Sequence, residues 1–177
     1  MKEKNFKKEN FPIDPIVYDK ATWPKLSIEE KRDAAISFAG QMMRIYQEII
    51  EEKVGKDKAM EIGSEVWVRM FKEGQKPAEA SLGIKGMKNA IPFIKWSAYL
   101  EEELQGCTAT TVEASSDVAT RVNVKCKLGD ELRRQDCECM AIAAKRYVEE
   151  NYPGYSFSWD SVYHDTGVCI YRMYKIK

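Results

Sequence analysis

The sequence predicts an α+β fold, with helices packed on one face of a four-stranded antiparallel sheet in the order α-α-α-β-β-α-β-β. Two observations support this prediction. Apolar residues recur at helical spacing through about the first hundred residues, whereas they alternate with polar ones in short stretches thereafter. Because a sheet with one solvated face needs cover on the other, the amphipathic helices are expected to supply that cover.

The first helix is predicted to begin at Ser27. Ser27 and Glu30 have the spacing of a capping box, in which each side chain satisfies a free backbone amide of the first turn. An apolar stripe continues from there to about Gly55. A second stripe predicts a helix from Asp57 that ends at Gly74.

Two shorter helical stretches come next in the chain. Pro77 suits the first turn of a short helix that ends near Gly83, since a first-turn amide has no helical partner to lose. Residues 87–104 form a further helical candidate. Pro92 must kink this helix or make it start late.

Four strands are expected in the second half of the chain. Apolar and polar residues alternate in Val118–Cys126, which is typical of a half-buried strand with its apolar residues inward, and Thr108–Ala114 is the predicted hairpin partner. Aromatic residues alternate with polar ones from Tyr155 to Tyr163. A tight turn at residues 164–167 then leads into a last strand, Val168–Ile176.

Composition excludes several classes of function. Lysine plus arginine and aspartate plus glutamate number 28 each, so the chain lacks the positive excess of a nucleic-acid-binding protein. No apolar run approaches the roughly 20 residues of a membrane span. A secretory signal has an apolar segment after its charged start, and no such segment follows the charged N-terminus here. We therefore expect a cytoplasmic protein with no nucleic-acid or membrane partner.

The same features predict the organisation of the chain. Residues 1–25 are polar and contain three prolines, which indicates an irregular arm, and residues 26–177 are expected to form a single α+β domain. The five cysteines are interpreted as thiols, because a reducing compartment disfavours disulfides. The many apolar helix faces are compatible with a homodimer.

The helix predicted from Asp130 to Asn151 carries the main candidate site. Asp136 lies on the apolar face of this helix, with Arg133 and Cys137 beside it and Met140 one turn further on. A carboxylate and a guanidinium on an apolar face are costly unless they pair or bind something. They form either a structural ion pair or the polar floor of a ligand cavity between helix and sheet.

Three thiols are expected near this face. Cys126 lies on the apolar face of its strand, Cys137 on the buried side of the helix, and Cys169 in the last strand. They could supply a nucleophile, form a soft metal site, or pack as small apolar side chains. His164 is the only histidine and falls at a predicted turn, so a catalytic triad is disfavoured.

Short motifs in this region resemble the L-2-amino-thiazoline-4-carboxylic acid hydrolase family and its relatives. Glu52–Ala59 is similar to a helix junction in such relatives. The other residues of the resemblance are Cys126, Leu128-Gly129, Asp136-Cys137, Pro153, Phe157, Gly167 and Cys169-Ile170-Tyr171. The family is similar in layout to 4-vinyl reductase-type ligand-binding domains, which place helices over an antiparallel sheet.

The resemblance implies a hydrolase that opens a C–N bond of a small cyclic amidine to give a carbamoyl amino acid, without a cofactor. Such chemistry needs a base or nucleophile, and a cation for the substrate carboxylate. We assign Asp136 as base and Cys137 or Cys126 as nucleophile. Arg133 is assigned to the substrate carboxylate, with Cys169 and Met140 in the substrate pocket. The alternative is a non-catalytic small-molecule-binding or sensor domain.

Overall fold

A computed structural model describes residues 25–84 and 88–177, so all but the last residue of the predicted N-terminal arm lies outside it. The described part contains six α-helices and a four-stranded antiparallel sheet, which confirms the α+β class. The helices are α1 (Ile28–Val54), α2 (Lys56–Leu82), α3 (Ala90–Tyr99), α4 (Lys127–Glu131), α5 (Arg134–Asn151) and α6 (Tyr163–Thr166). The strands are β1 (Cys107–Ala114), β2 (Val118–Cys126), β3 (Tyr155–Ser161) and β4 (Cys169–Lys175).

The sheet has the spatial order β1-β2-β4-β3, so β2 and β4 are its central strands. The hairpin of β1 and β2 therefore pairs through β2 with the last strand of the chain rather than with β3. Helix α5 contacts β3 and α2, while α3 contacts β2. No helix among residues 25–84 and 88–177 is long and apolar enough to cross a membrane.

Helix α1 begins as predicted, but α2 is longer than expected. The capping box of Ser27 and Glu30 is present, and Gly55 ends α1. Helix α2 continues through Gly74 and Pro77 to Leu82, so the predicted break between two helices is wrong. The apolar stripe explains why: buried or half-buried side chains recur at helical spacing across the break, at positions Trp67, Phe71, Ala78 and Leu82. Their packing outweighs the unfavourable helix propensity of glycine and proline.

Of the two outcomes expected for residues 87–104, a kink at Pro92 or a late start, the structure shows the late start, because α3 begins at Ala90. Asn89 caps α3 by accepting a hydrogen bond from the amide of Ile91 at 3.0 Å. Pro92 is then the third residue of the helix, in the first turn, where backbone amides have no helical partner. The same chain continues beyond α3 as a π-helical turn, Leu100–Leu104.

The helix predicted from Asp130 to Asn151 is two helices. The backbone is extended at Leu132 and Arg133, between α4 and α5. Leu132 is buried in the core, and Arg133 is the N-cap of α5. The break therefore places Asp136 in the first turn of α5, where its carboxylate accepts a hydrogen bond from the free amide of Arg133 at 2.9 Å.

Strand β2 has the predicted bounds but the opposite orientation over most of its length. The prediction placed the valines inward, whereas Ala119, Arg121 and Asn123 are buried and Val124 is 57% exposed. The pairing with β1 then shifts by one residue between Asn123 and Lys125. This β-bulge reverses the alternation, so that Cys126 is buried as expected.

The core consists of two adjoining clusters of buried side chains. The first joins α3, α5 and the sheet, and includes Phe93, Trp96, Tyr147, Phe157 and Met173. The second joins α1, α2 and the start of α5 with the ends of β1 and β2, and includes Trp67, Cys126, Leu128, Cys137 and Cys139. Phe71 of α2 packs against both clusters.

Two helical glycines should respond oppositely to alanine. A Cβ atom at Gly40 of α1 would lie 2.6 Å from the Cβ of Glu131, so Gly40→Ala forces α1 and α4 apart. We expect it to lower the free energy of unfolding by about 1–3 kcal/mol. A Cβ at Gly74 of α2 meets nothing within 4 Å. We expect Gly74→Ala to raise the free energy of unfolding by about 0.5–1 kcal/mol, because it removes unfolded-chain entropy.

Urea unfolding followed by circular dichroism measures both changes. The two variants are matched controls for each other, since each adds one methyl group to a long helix. A destabilised Gly74→Ala would show that α2 does not run continuously through this position.

Candidate functional site

A cavity of about 70 Å³ lies where the two core clusters meet. Its wall combines aromatic side chains from α2, α3, α5 and the sheet with three thiols and a small polar group. The wall residues that define its chemistry are Phe93, Trp96, Glu101, Asn123, Cys126, Cys137, Met140, Ala144, Trp159, Tyr163, Cys169 and Tyr171. The half-buried residues of the wall are Phe71, Leu100, Gln105, Met140, Trp159 and Tyr163.

A buried ion pair forms the polar end of the cavity. The Nε atom of Arg121 donates to Oε2 of Glu101 at 2.7 Å, and the amide of Asn123 donates to Oε1 of Glu101 at 3.0 Å. The side chain of Arg121 is 2% exposed and that of Glu101 is 11% exposed. Glu101 faces the cavity, whereas Arg121 lies behind it and does not line the wall.

The π-helical turn positions this group. Glu101 and Glu102 are consecutive, yet both accept from Arg121, with Glu102 Oε1 2.7 Å from the Nη2 atom. The remaining Nη1 group of Arg121 donates to the hydroxyl of Thr111 at 3.0 Å. The guanidinium is thus bound on three sides, which offsets the cost of burying it. π-Helical turns are frequent at functional sites.

Cys126, Cys137 and Cys169 come together in the wall, as the sequence predicted that they would converge. The Cys107 thiol and the backbone amide of Gly129, 3.1 Å from the Cys126 sulfur, hold the pKa of Cys126 below its ordinary value. Burial raises the pKa of Cys137 to about 12 and that of Cys169 to about 11. Cys126 is therefore the most acidic of the three thiols and the best nucleophile.

Four buried polar atoms in the wall have no hydrogen-bond partner. They are Nε1 of Trp96, Nε1 of Trp159, Oδ1 of Asn123 and the hydroxyl of Tyr171. Trp96 is 2% exposed and Asn123 is 4% exposed. Because an unsatisfied buried polar group costs about 1–3 kcal/mol, three donors and one acceptor are available to a bound molecule.

Arg133 and Asp136 do not line this cavity. Both carboxylate oxygens of Asp136 accept from the Arg133 side chain, at 3.0 and 3.2 Å, and Arg133 also reaches Glu51 at 3.0 Å. Asp136 is buried, as expected for this face. It lies instead in the wall of a separate groove between α1, α2 and α5, with a volume of about 270 Å³. The pair caps α5 and ties it to α1.

Met140 and His164 are the remaining residues that the sequence analysis considered. Met140 lines the cavity, and His164 is exposed on α6 and does not line it. Within the described ranges, no three His, Cys, Asp or Glu side chains are grouped so that they could hold a metal ion.

Sequence reasoning missed Glu101, Arg121 and Asn123. One signal was present: Arg121 and Asn123 alternate on one face of β2, and two buried polar residues at this spacing require partners. Their partner, Glu101, lies in an acidic run of three glutamates that is typical of a solvated helix end. Nothing local distinguishes the one that is buried.

No protein-family model matches the sequence, and no curated protein matches it. The resemblance to thiazoline carboxylate hydrolases therefore stays a prediction based on short motifs. The chemistry that this site can support is determined by the geometry, charge and volume of the cavity.

Proposed function

We propose that this protein binds a compact aromatic molecule, neutral or positively charged, in the cavity between its helices and one face of its sheet. The observation that carries the proposal is the wall itself, which is aromatic on several sides and contains four unpartnered buried polar atoms. Ligand cavities of this kind combine mainly apolar walls with a few polar groups that orient the ligand.

The charge of the wall selects among ligands. Glu101 is the one charged residue in the wall, and no lysine, arginine or histidine of the described chain lines it. Arg121 pairs with both Glu101 and Glu102, so this group of three side chains keeps one net negative charge behind the wall. That charge and the faces of the surrounding aromatic rings attract a cation and disfavour an anion.

The volume sets the size of the ligand and requires some movement. An engineered cavity of about 150 Å³ holds benzene, about twice the volume available here. A six-membered ring can enter only if side chains of the wall move. Met140 is one of the half-buried wall residues, and methionine adapts readily to different ligands.

Three compounds that share a phenyl ring test the charge and the size together. We expect benzamidine, a cation, and benzamide, which is neutral, to bind at least about 10-fold more tightly than benzoate by isothermal titration calorimetry, a difference of about 1.4 kcal/mol. Equal binding of benzoate would overturn the charge argument. Failure of all three compounds to bind would overturn the proposal that this cavity binds an aromatic ligand.

A matched pair of variants on α5 locates the binding. Ala144 is buried and lines the cavity, whereas Ala141 is half-buried and does not. Ala144→Leu should fill the cavity and weaken benzamidine binding at least about 10-fold. Ala141→Leu adds the same atoms on the same helix and should leave binding unchanged. Equal effects would place the binding elsewhere.

Hydrolysis of a C–N bond is the second candidate function, and the acidity of the Cys126 thiol favours it. In this reaction the sulfur bonds to the amidine carbon, the ring nitrogen leaves with the electron pair and takes up a proton, and water then releases the product from sulfur. Because the wall lacks a cation, an amidine without a carboxylate fits better than the thiazoline carboxylate implied by the resemblance.

The reaction can be tested with 2-amino-2-thiazoline and its 4-carboxylate, with ring-opened product detected by mass spectrometry. We expect turnover of the first compound, and a loss of at least about 100-fold in Cys126→Ser, which removes the nucleophile. Cys139→Ser is the control, because Cys139 is buried outside this cavity. Unchanged turnover in Cys126→Ser would exclude it as nucleophile, and binding without turnover would leave the protein a binding module.

We also propose a homodimer. Its support is a set of exposed apolar side chains on α1: Ile28, Phe38, Ile45, Tyr46 and Ile49. Exposed apolar patches of this kind are typical of protein interfaces.

A further inference from the structure

Cys107 and Cys126 face each other across the first hairpin of the sheet. They are directly paired residues of β1 and β2, and their sulfur atoms lie 3.3 Å apart. Both are buried. Paired residues of adjacent antiparallel strands have Cα atoms within the range that a disulfide spans, so an S–S bond of about 2.05 Å needs only a small rotation of the two side chains.

The two thiols are not equivalent. The sulfur of Cys126 accepts hydrogen bonds from the Cys107 thiol and from the Gly129 amide, and it lines the cavity. Cys107 does not line the cavity and lies behind Cys126. An oxidant that enters the cavity therefore meets Cys126 first, and Cys107 is in place to react second.

The size of the cavity selects among oxidants. A volume of about 70 Å³ is about half that of an engineered cavity that holds benzene, so it is too small for glutathione or another peptide disulfide. A cavity needs only about 10–15 Å³ to hold a water molecule, so hydrogen peroxide, which has two heavy atoms, is small enough to enter.

We propose that Cys107 and Cys126 form a peroxide-sensitive redox pair, in which Cys126 is oxidised first and Cys107 closes a reversible disulfide. The Cys126 sulfur attacks one peroxide oxygen, the O–O bond breaks, and the second oxygen leaves as water after it takes up a proton. The Cys107 sulfur then displaces the sulfenic hydroxyl of Cys126, which leaves as a second water with the Cys107 proton. Two thiols are oxidised, one peroxide is reduced, and a dithiol reductant restores the starting state.

The test is the thiol inventory of the folded protein after treatment with equimolar hydrogen peroxide. The free thiols should fall from five to three, with a mass loss of two hydrogens that dithiothreitol reverses. Trypsin cuts at Arg121 and Lys125, between the two cysteines, so a single linked peptide pair identifies the bond. A disulfide that links other cysteines, or oxidation without any disulfide, would overturn the proposal.

Three variants separate the two roles. Cys126→Ser should abolish disulfide formation and leave Cys107 reduced. Cys107→Ser should stop the reaction at a sulfenic acid on Cys126, which dimedone traps. Cys139→Ser should behave as the wild type, because Cys139 is a buried thiol of the same core cluster outside the cavity wall. Dimedone labelling of Cys139 or Cys169 in place of Cys126 would contradict the assignment.

These measurements detect thiol oxidation and disulfide formation, and neither depends on ligand binding. A protein that binds no phenyl compound but forms the Cys107–Cys126 disulfide would refute the proposed function and support the redox pair. The reverse result would refute only the redox pair.

Discussion

Arg121→Met is expected to lower the free energy of unfolding by about 3–5 kcal/mol. The side chain of Arg121 is 2% exposed and binds Glu101, Glu102 and Thr111. Methionine fills a similar volume without the charge, so the variant leaves the Glu101 carboxylate buried and without its cation. Urea unfolding monitored by circular dichroism measures the change.

Two comparisons show whether the loss comes from the buried charge. Arg69→Met removes an arginine that is 76% exposed and paired with Glu65, and it should cost less than about 1 kcal/mol. Arg121→Met combined with Glu101→Gln should recover part of the loss, because the only carboxylate left without its arginine is that of Glu102, which is 47% exposed. This explanation would be contradicted if the double variant lost more free energy of unfolding than the two single variants lose when their losses are added.

Phe93→Ala is expected to cost about 3–5 kcal/mol of unfolding free energy. Phe93 is 3% exposed and makes edge contacts with Trp96, Tyr152 and Phe157 at centroid distances of 5.8–6.1 Å. It joins α3 to the sheet and forms part of the cavity wall. Removal of the ring therefore loses both buried area and aromatic contacts.

Phe38→Ala is the matched control for this prediction, because Phe38 of α1 is 67% exposed. At a protein concentration low enough to dissociate the dimer proposed through α1, it should change the free energy of unfolding by less than about 0.5 kcal/mol. Denaturant titration of both variants and the wild type at one protein concentration makes the comparison. Similar effects at the two positions would show that Phe38 is covered in solution, as a homodimer through α1 predicts.

The secondary structure was predictable wherever its signal is local. The capping box at Ser27 and Glu30 needs only residues three positions apart, and it begins α1 where expected. The bounds predicted for β2 agree with the structure because alternation marks an extended chain whichever face is buried. Gly167 has the positive φ of a turn, and β4 begins two residues after it.

The candidate site was predictable only in part. Cys126, Cys137 and Cys169 lie together in the cavity wall because each is an apolar residue on the inward side of its element. Asp136 was expected on the same face, but α5 begins only at Arg134, and the carboxylate binds Arg133 at the new helix end. The residue at which a helix begins depends on how the preceding segment packs, and residue spacing alone does not reveal that packing.

By itself, then, the sequence determined the α+β class, the position of most helices and strands, and the inward placement of the thiols. These depend on backbone preferences and on spacing within a few residues. The tertiary structure alone decided that α2 continues through Pro77, that Arg121 is buried on β2, and that Glu101 is its partner. Each of these is set by contacts between elements, and the free energy of packing and ion pairing there exceeds the local preference that the sequence displays.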